Sequence, residues 1–189
     1  MKKITKGEWC YINYQRKRVL LITLVLYVCA IGIYLVGYLS LNTTKNLFTI
    51  IAVLGILPAS KSMVNLIMFL RFRSLPEDIY KDYTDETGDG MCIIFETPFT
   101  TYEKTYFVEA IACRNKTVIC SCPGAKSDIQ KLTGHLAGVL KNDGYKDVTV
   151  KVYDDRDEFR KRLAGLSELK ESDSRADKAV LNTLLSVAL

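Results

Sequence analysis

The sequence predicts a membrane α-helical hairpin followed by a small cytoplasmic α+β domain. Three observations carry that expectation. Two long apolar runs lie back to back in the N-terminal third, positive charge brackets them, and the rest of the chain alternates between strand-like and helix-like patterns.

The apolar runs are Val19–Leu41 and Leu47–Leu70, separated by the polar stretch Asn42-Thr43-Thr44-Lys45-Asn46. Crossing a hydrocarbon core takes about 20 predominantly apolar residues, so each run is long enough. Five residues between them leave room for a tight reversal and little else. A cleaved signal peptide is the competing reading of the first run. That run exceeds a signal h-region, Tyr38-Leu39-Ser40-Leu41 is a poor small-residue cleavage site, and a second apolar run follows at once. Arg16-Lys17-Arg18 precedes the first run and Arg71-Phe72-Arg73 closes the second, while the loop holds only Lys45. Positive charge stays on the cytoplasmic side. The expected location is therefore the plasma (inner) membrane, multi-pass, with both termini cytoplasmic. Trp9, Tyr11, Tyr14, Tyr34 and Tyr38 fit interfacial belts.

The chain has 189 residues and a formal charge of +5, and that average hides two opposite parts. Residues 1–73 carry ten Lys/Arg against one acid, Glu8, whereas residues 74–189 carry 16 bases and 20 acids. A mildly acidic folded part argues against a nucleic-acid partner, whose footprint is a basic domain. The organisation read from these shifts is a basic N-terminal segment (1–18), a two-helix hairpin (19–73), an α+β domain (74–166), and a charged linker with an amphipathic C-terminal helix (167–189). Six cysteines (Cys10, Cys29, Cys92, Cys113, Cys120, Cys122) are expected to stay reduced in a cytoplasmic domain.

The second apolar run has a polar centre, Pro58-Ala59-Ser60-Lys61-Ser62. Proline lacks an amide hydrogen and is expected to kink or break the helix there. Ala52, Gly55, Ala59 and Ser62 form a stripe of small residues of the kind that lets two helix backbones approach closely. Two readings follow. In one, the stripe is an oligomer or partner interface with Lys61 facing inward, extending to an oligomeric pore or transporter subunit lined by Ser60, Lys61 and Ser62. In the other, Lys61 snorkels to the headgroups.

Beyond Arg73, Leu75-Pro76-Glu77-Asp78 opens a short helix with acids in its first turn. Thr87-Gly88-Asp89-Gly90 is a turn. Met91–Thr97, Thr105–Cys113 and Thr117–Cys122 are strand-like, and their short links favour an antiparallel meander. Ser127-Asp128-Ile129-Gln130 has capping-box spacing before a helix to about Asn142. Val148–Tyr153 alternates as a half-buried strand, and Asp155 caps a further helix. The order α-β-β-β-α-β-α describes a two-layer sandwich: a mixed four-stranded sheet with helices mainly on one face.

This order resembles the core of the restriction-endonuclease-like nucleases. The resemblance implies an acid on the second strand, where Glu109 stands, and an acid-x-lysine pair on the third. The third strand, Thr117-Val118-Ile119-Cys120-Ser121-Cys122, carries neither acid nor lysine. Metal-assisted cleavage uses those carboxylates to hold its cation. The likeness is one of topology alone.

Other chemistry-bearing residues have a functional and a structural reading. Cys92, Cys113, Cys120 and Cys122 supply four thiols, the number a zinc site takes, but their spacing lacks Cys-x2-Cys knuckles and cysteine is commonly a buried hydrophobe. Gly124, Lys126 and Ser127 precede a helix N-terminus that can hold an anion, although the upstream glycine of a phosphate loop is absent. His135 has no nucleophile placed beside it, and Asp154, Asp155, Asp157 and Glu158 suit a helix start. The expected function is a membrane-anchored cytoplasmic binding or scaffold module without cofactor, with the lipid bilayer and a protein partner or a second copy as partners. The alternative is a membrane-tethered hydrolase or thiol/redox enzyme using Glu109, Cys120 or Cys122.

Overall fold

The computed structural model describes residues 4–41, 47–88, 90–169 and 174–188. The expected reversal at Asn42–Asn46, Asp89 of the turn and residues 170–173 of the charged linker lie outside the described residues. The chain divides into two compact units, Ile12–Arg73 and Met1–Tyr11 with Ser74–Leu189.

The first unit is a pair of helices, α1 (Tyr11–Leu41) and α2 (Leu47–Leu70). Both are long and apolar enough to cross a membrane. α2 runs through Pro58 as one helix instead of breaking there. The helices are antiparallel. Thr23 Oγ1 lies 2.7 Å from Ser62 Oγ, and a Cβ on Gly55 would stand 3.8 Å from Ala30 Cβ. Their seam is built from residues seven apart: Thr23, Ala30 and Gly37 on α1 are buried, as are Ala52, Ala59 and Leu66 on α2. Small side chains at that spacing let backbones approach closely.

The second unit is built on a mixed sheet of β1 (Cys92–Thr100), β2 (Thr105–Arg114), β3 (Thr117–Ser121) and β4 (Thr149–Tyr153), in that spatial order. The first three strands are an antiparallel meander; β4 lies parallel to β3 after a crossover through α4 (Ile129–Asn142). Asn115 and Lys116, with φ of 48° and 58°, make the two-residue β2–β3 turn, the backbone twist that matches paired strands.

Helices cover both faces of this sheet, not mainly one, so the domain has three layers instead of the expected two. α4 and α6 (Ser174–Val187) close one face over Val108, Ile111, Val118 and Val152. α3 (Glu77–Asp85) and α5 (Arg156–Ser167) close the other over Phe95, Ala112 and Ile119. The physical reason is that β2 and β3 are apolar on both sides, and a strand with two apolar faces must be covered twice. α6 contributes Val180, Leu181 and Leu184 to the core, so the C-terminal helix is an integral layer.

The register contains one break. Phe95 pairs with Ala110 and Thr97 with Val108, while Glu96 sits between them at φ 52° and leaves the ladder. As at a β-bulge, the local bend re-aims side chains. Cys92 and Ile94 pack toward α4 and α6 before the break, and Phe99 does so after it.

The Glu96 carboxylate is fully buried and ties the domain to both ends of the helical hairpin's sequence. Its Oε1 accepts from the Cys10 and Leu75 amides, each at 3.0 Å, and its Oε2 accepts from the Ser74 hydroxyl at 2.8 Å. Cys10 immediately precedes α1, and Ser74-Leu75 follows α2. The segment before α1 is thus part of the domain. The Phe95 amide donates to Gly7 O at 2.8 Å, the Lys6 ammonium donates to Ala188 O, and Trp9 donates to Leu75 O at 2.9 Å. Trp9 also stacks on Tyr80 with ring centroids 4.8 Å apart, which makes it part of the domain's packing.

Hydrogen bonds to a charged group contribute about 1.5–3 kcal/mol each, and stranded buried donors add a desolvation cost. Glu96→Ala is therefore expected to cost about 3 kcal/mol or more, and Glu96→Gln, which keeps one acceptor oxygen, about half of that. Urea unfolding of the detergent-solubilised protein, read by the fluorescence of Trp9, checks this. An unchanged midpoint in Glu96→Ala would contradict the clamp.

Candidate functional site

The same register break that turns Glu96 aside sets Glu109 on the α3/α5 face of β2. Residues of α5, α3 and β3 gather around it. Asp155 caps α5 through the Asp157 amide at 2.9 Å, which starts the helix directly after β4 and sets Arg156 at its first position. The Arg156 guanidinium grips Glu109 with two bonds, Nε to Oε2 at 2.9 Å and Nη2 to Oε1 at 2.5 Å. The Glu109 side chain is 8% exposed and that of Arg156 is 44% exposed. From α3, the Tyr83 hydroxyl stands 3.1 Å from Ser121 Oγ on β3 and makes a long 3.5 Å contact to Glu109 Oε2. Its ring is fixed edge-on against Phe159, centroids 5.0 Å apart. Burial, reinforced by the Glu109 charge, pushes the Tyr83 phenol up to about 12. It is a protonated hydrogen-bond donor at neutral pH.

Glu109 also forms part of the wall of a cleft of about 220 Å³ at the carboxyl end of β3, which Lys104, Tyr106, Phe107, Cys122 and Gly124 help to line. Crossover connections leave a crevice beyond the carboxyl ends of parallel strands, and ligand sites in α/β sheets favour that position. Gly124, at φ 89°, makes the turn that carries the chain from β3 toward α4. Lys104 on the opposite rim forms an ion pair with Asp128, and its ammonium lies 5.0 Å from the Tyr106 ring centroid. The cleft offers an aromatic wall, an ammonium and a carboxylate already neutralised by a guanidinium. These groups suit recognition of a small polar or aromatic moiety. With Glu109 engaged on both oxygens, proton abstraction is poorly served.

The sequence-derived candidates distribute as follows. Gly124 lines the cleft; Lys126 and Ser127 are exposed beside it. α4 begins at Ile129 with Asp128 as N-cap, one residue later than the capping-box spacing implies. An acid therefore occupies the helix terminus where an anion would bind, and Ser127 donates to it at 3.3 Å. Cys113, Cys120 and Cys122 are buried in the α4/α6 core, with Cys92 packed at its margin opposite Cys113 in the ladder. Cys113 donates to Asp177 Oδ1 at 3.4 Å and Cys122 to Phe107 O at 3.3 Å. Burial raises all four thiols, Cys122 to about 11. Protonated thiols are poor nucleophiles and poor metal ligands. Among the described residues no cluster of three or more His, Cys, Asp or Glu side chains is placed to hold a metal ion.

On α2 the small-residue stripe meets α1 of the same chain: Ala52 and Ala59 are buried in the seam, Gly55 approaches Ala30 and Ser62 bonds Thr23. Pro58, Ser60 and Lys61 are exposed. Ser62 faces the seam with α1, whereas Ser60 and Lys61 lie outside it.

Glu96, Tyr83, Ser121 and Arg156 were not among the sequence candidates. For Glu96 a signal exists: a single carboxylate inside Ile93-Ile94-Phe95-Glu96-Thr97-Pro98-Phe99 is an unpaired charge in a buried run, and Glu109 within Phe107–Cys113 is its counterpart. Tyr83, Ser121 and Arg156 carry no such local mark.

No family model, curated protein or solved structure matches this chain. The site rests on its own geometry.

The raised groups set an alkaline limit on stability. Tyr83, Cys113, Cys120 and Cys122 hold their protons more tightly folded than unfolded, so unfolding releases protons once pH exceeds the ordinary thiol value of 9.0. Their contribution is complete below about pH 9 and is lost as pH rises toward the folded values of about 11 for Cys122 and about 12 for Tyr83. The urea midpoint is expected to fall steadily between those limits. A midpoint unchanged up to pH 11 would refute the assignment.

Proposed function

We propose that this chain is a membrane-anchored cytoplasmic binding module. α1 and α2 cross the bilayer as a hairpin, both termini lie in the cytoplasm, and the cleft at the end of β3 receives the ligand or partner. One observation carries the topology. Residues 4–11 and the chain from Ser74 belong to one folded unit, joined through Glu96, so they lie on the same side of any membrane. The chain between them must then cross an even number of times, and it contains two helices of spanning length. Arg16, Lys17 and Arg18 near the start of α1, and Arg71 and Arg73 after α2, assign that side to the cytoplasm.

Binding is favoured over catalysis by the state of the reactive groups. The Cys113, Cys120 and Cys122 thiols are buried and protonated, and Glu109 is held by Arg156. What remains accessible is a recognition surface.

Two measurements test the proposal. Epitope tags at both termini of the full-length protein are expected to stay shielded in intact cells and to become accessible together after permeabilisation; a tag exposed in intact cells refutes the topology. A variant with residues 12–73 replaced by about three glycines is expected to fold as a soluble domain, because the Cys10 and Leu75 amides meet on one Glu96 oxygen. The fragment 74–189, which lacks Lys6, Gly7, Trp9 and Cys10, is expected to be less stable by about 2 kcal/mol or more.

A further inference from the structure

Lys61 is the unexplained charge in the hairpin. It lies about 14 Å from the C-terminal end of α2 and about 21 Å from the N-terminal end, at 1.5 Å per residue. Two residues earlier, Ala59 is fully buried against α1. Two steps of about 100° carry Lys61 to the opposite side of the helix. There it is exposed among Leu54, Leu57 and Val64, with Asn65 one turn on, and makes no ion pair among the described residues.

The charge has no counter-ion within the hairpin. Residues 12–73 contain seven Lys/Arg and no Asp or Glu. Snorkelling is obstructed by helix geometry. The nearer headgroups are at the C-terminal end of α2, whereas the Cα–Cβ bond of a helical residue tilts toward the N-terminus. The stem is therefore aimed at the more distant interface. A second copy meeting this face would bring ammonium against ammonium. The small-residue seam, which would otherwise serve self-association, is filled by α1.

We propose that the outward face of α2 docks a transmembrane helix of a different protein, one bearing an aspartate or glutamate at mid-membrane depth that pairs with Lys61. Asn65 adds a neutral hydrogen-bonding group one turn away. This inference rests on the membrane reading above and supplies the chemistry of the partner. Intramembrane charges that persist face a partner or a wet cavity, and the exposed Leu54, Leu57 and Val64 give a docked helix apolar surface to pack on around the ion pair.

The test uses the full-length protein in phosphatidylcholine vesicles, which carry no net charge, with labelled synthetic Leu/Ala transmembrane helices holding Asp, Asn or Leu at their centre. Energy transfer is expected to detect the Asp helix at about ten-fold lower peptide-to-lipid ratio than the Leu helix. Lys61→Leu is expected to erase that preference and Lys61→Arg to retain it. Equal association of the Asp and Leu helices, or a preference that survives Lys61→Leu, overturns the proposal. Self-association that is lost in Lys61→Leu overturns it in favour of a second copy. Flotation after an alkaline carbonate wash separates the two levels. A protein that floats but shows no Asp preference refutes the docking surface alone, whereas one stripped from the vesicles refutes both it and the membrane hairpin.

Discussion

One buried carboxylate organises this molecule. Glu96 accepts from the amide before α1 and from two groups after α2, so a single side chain defines where the chain leaves the domain and where it returns. A carboxylate removed from water must satisfy its oxygens with donors. Here those donors come from segments 64 residues apart in sequence, Cys10 and Ser74, and the two are thereby bound to one edge of the sheet. The N-terminal segment is held by further contacts at Gly7, Lys6 and Trp9, but Glu96 is where both ends meet.

The geometry that frees Glu96 for this role also makes the candidate site. A left-handed residue inside β1 interrupts pairing with β2, and side chains on either side of the interruption are re-aimed. Glu109 on β2 is the other carboxylate at that level, and it turns to the opposite task. Where Glu96 binds backbone, Glu109 binds Arg156 and closes one wall of the cleft. A non-glycine residue at positive φ costs about 1–3 kcal/mol and persists where surrounding structure over-determines it. The donors gathered on Glu96 from Cys10, Ser74 and Leu75 supply that over-determination.

The helical hairpin shows a division of labour between its faces. Thr23, Ala30, Gly37, Ala52 and Ala59 form a close seam held by packing of small side chains and the Thr23–Ser62 hydrogen bond. Along the middle of α2 the outward surface is apolar except at Lys61 and its neighbours Ser60 and Asn65. The small residues on α2 are thus accounted for by α1, and the charge is left as the feature that demands something beyond this chain.

The features legible in the sequence are those with a local cause. The length of the apolar runs dictates two helices long enough to span a bilayer, the short apolar runs between turn signals in residues 91–122 mark strands, and Asp155 marks the start of α5 because capping involves neighbours. The run Val118-Ile119-Cys120 is apolar on both faces and calls for cover on both, but which helices supply each layer depends on crossovers that only the fold sets. The packing of Trp9 was not legible because an aromatic beside a basic segment carries no local mark of its partner, and only the fold brings it onto Tyr80. The Glu96 clamp, the Arg156–Glu109 grip and the outward aspect of Lys61 each depend on which distant residues become neighbours. Composition and period determined the elements and the two-part plan of this protein. The pairing of residues far apart in the chain, set by sheet register and helix rotation, decided where its charges meet partners.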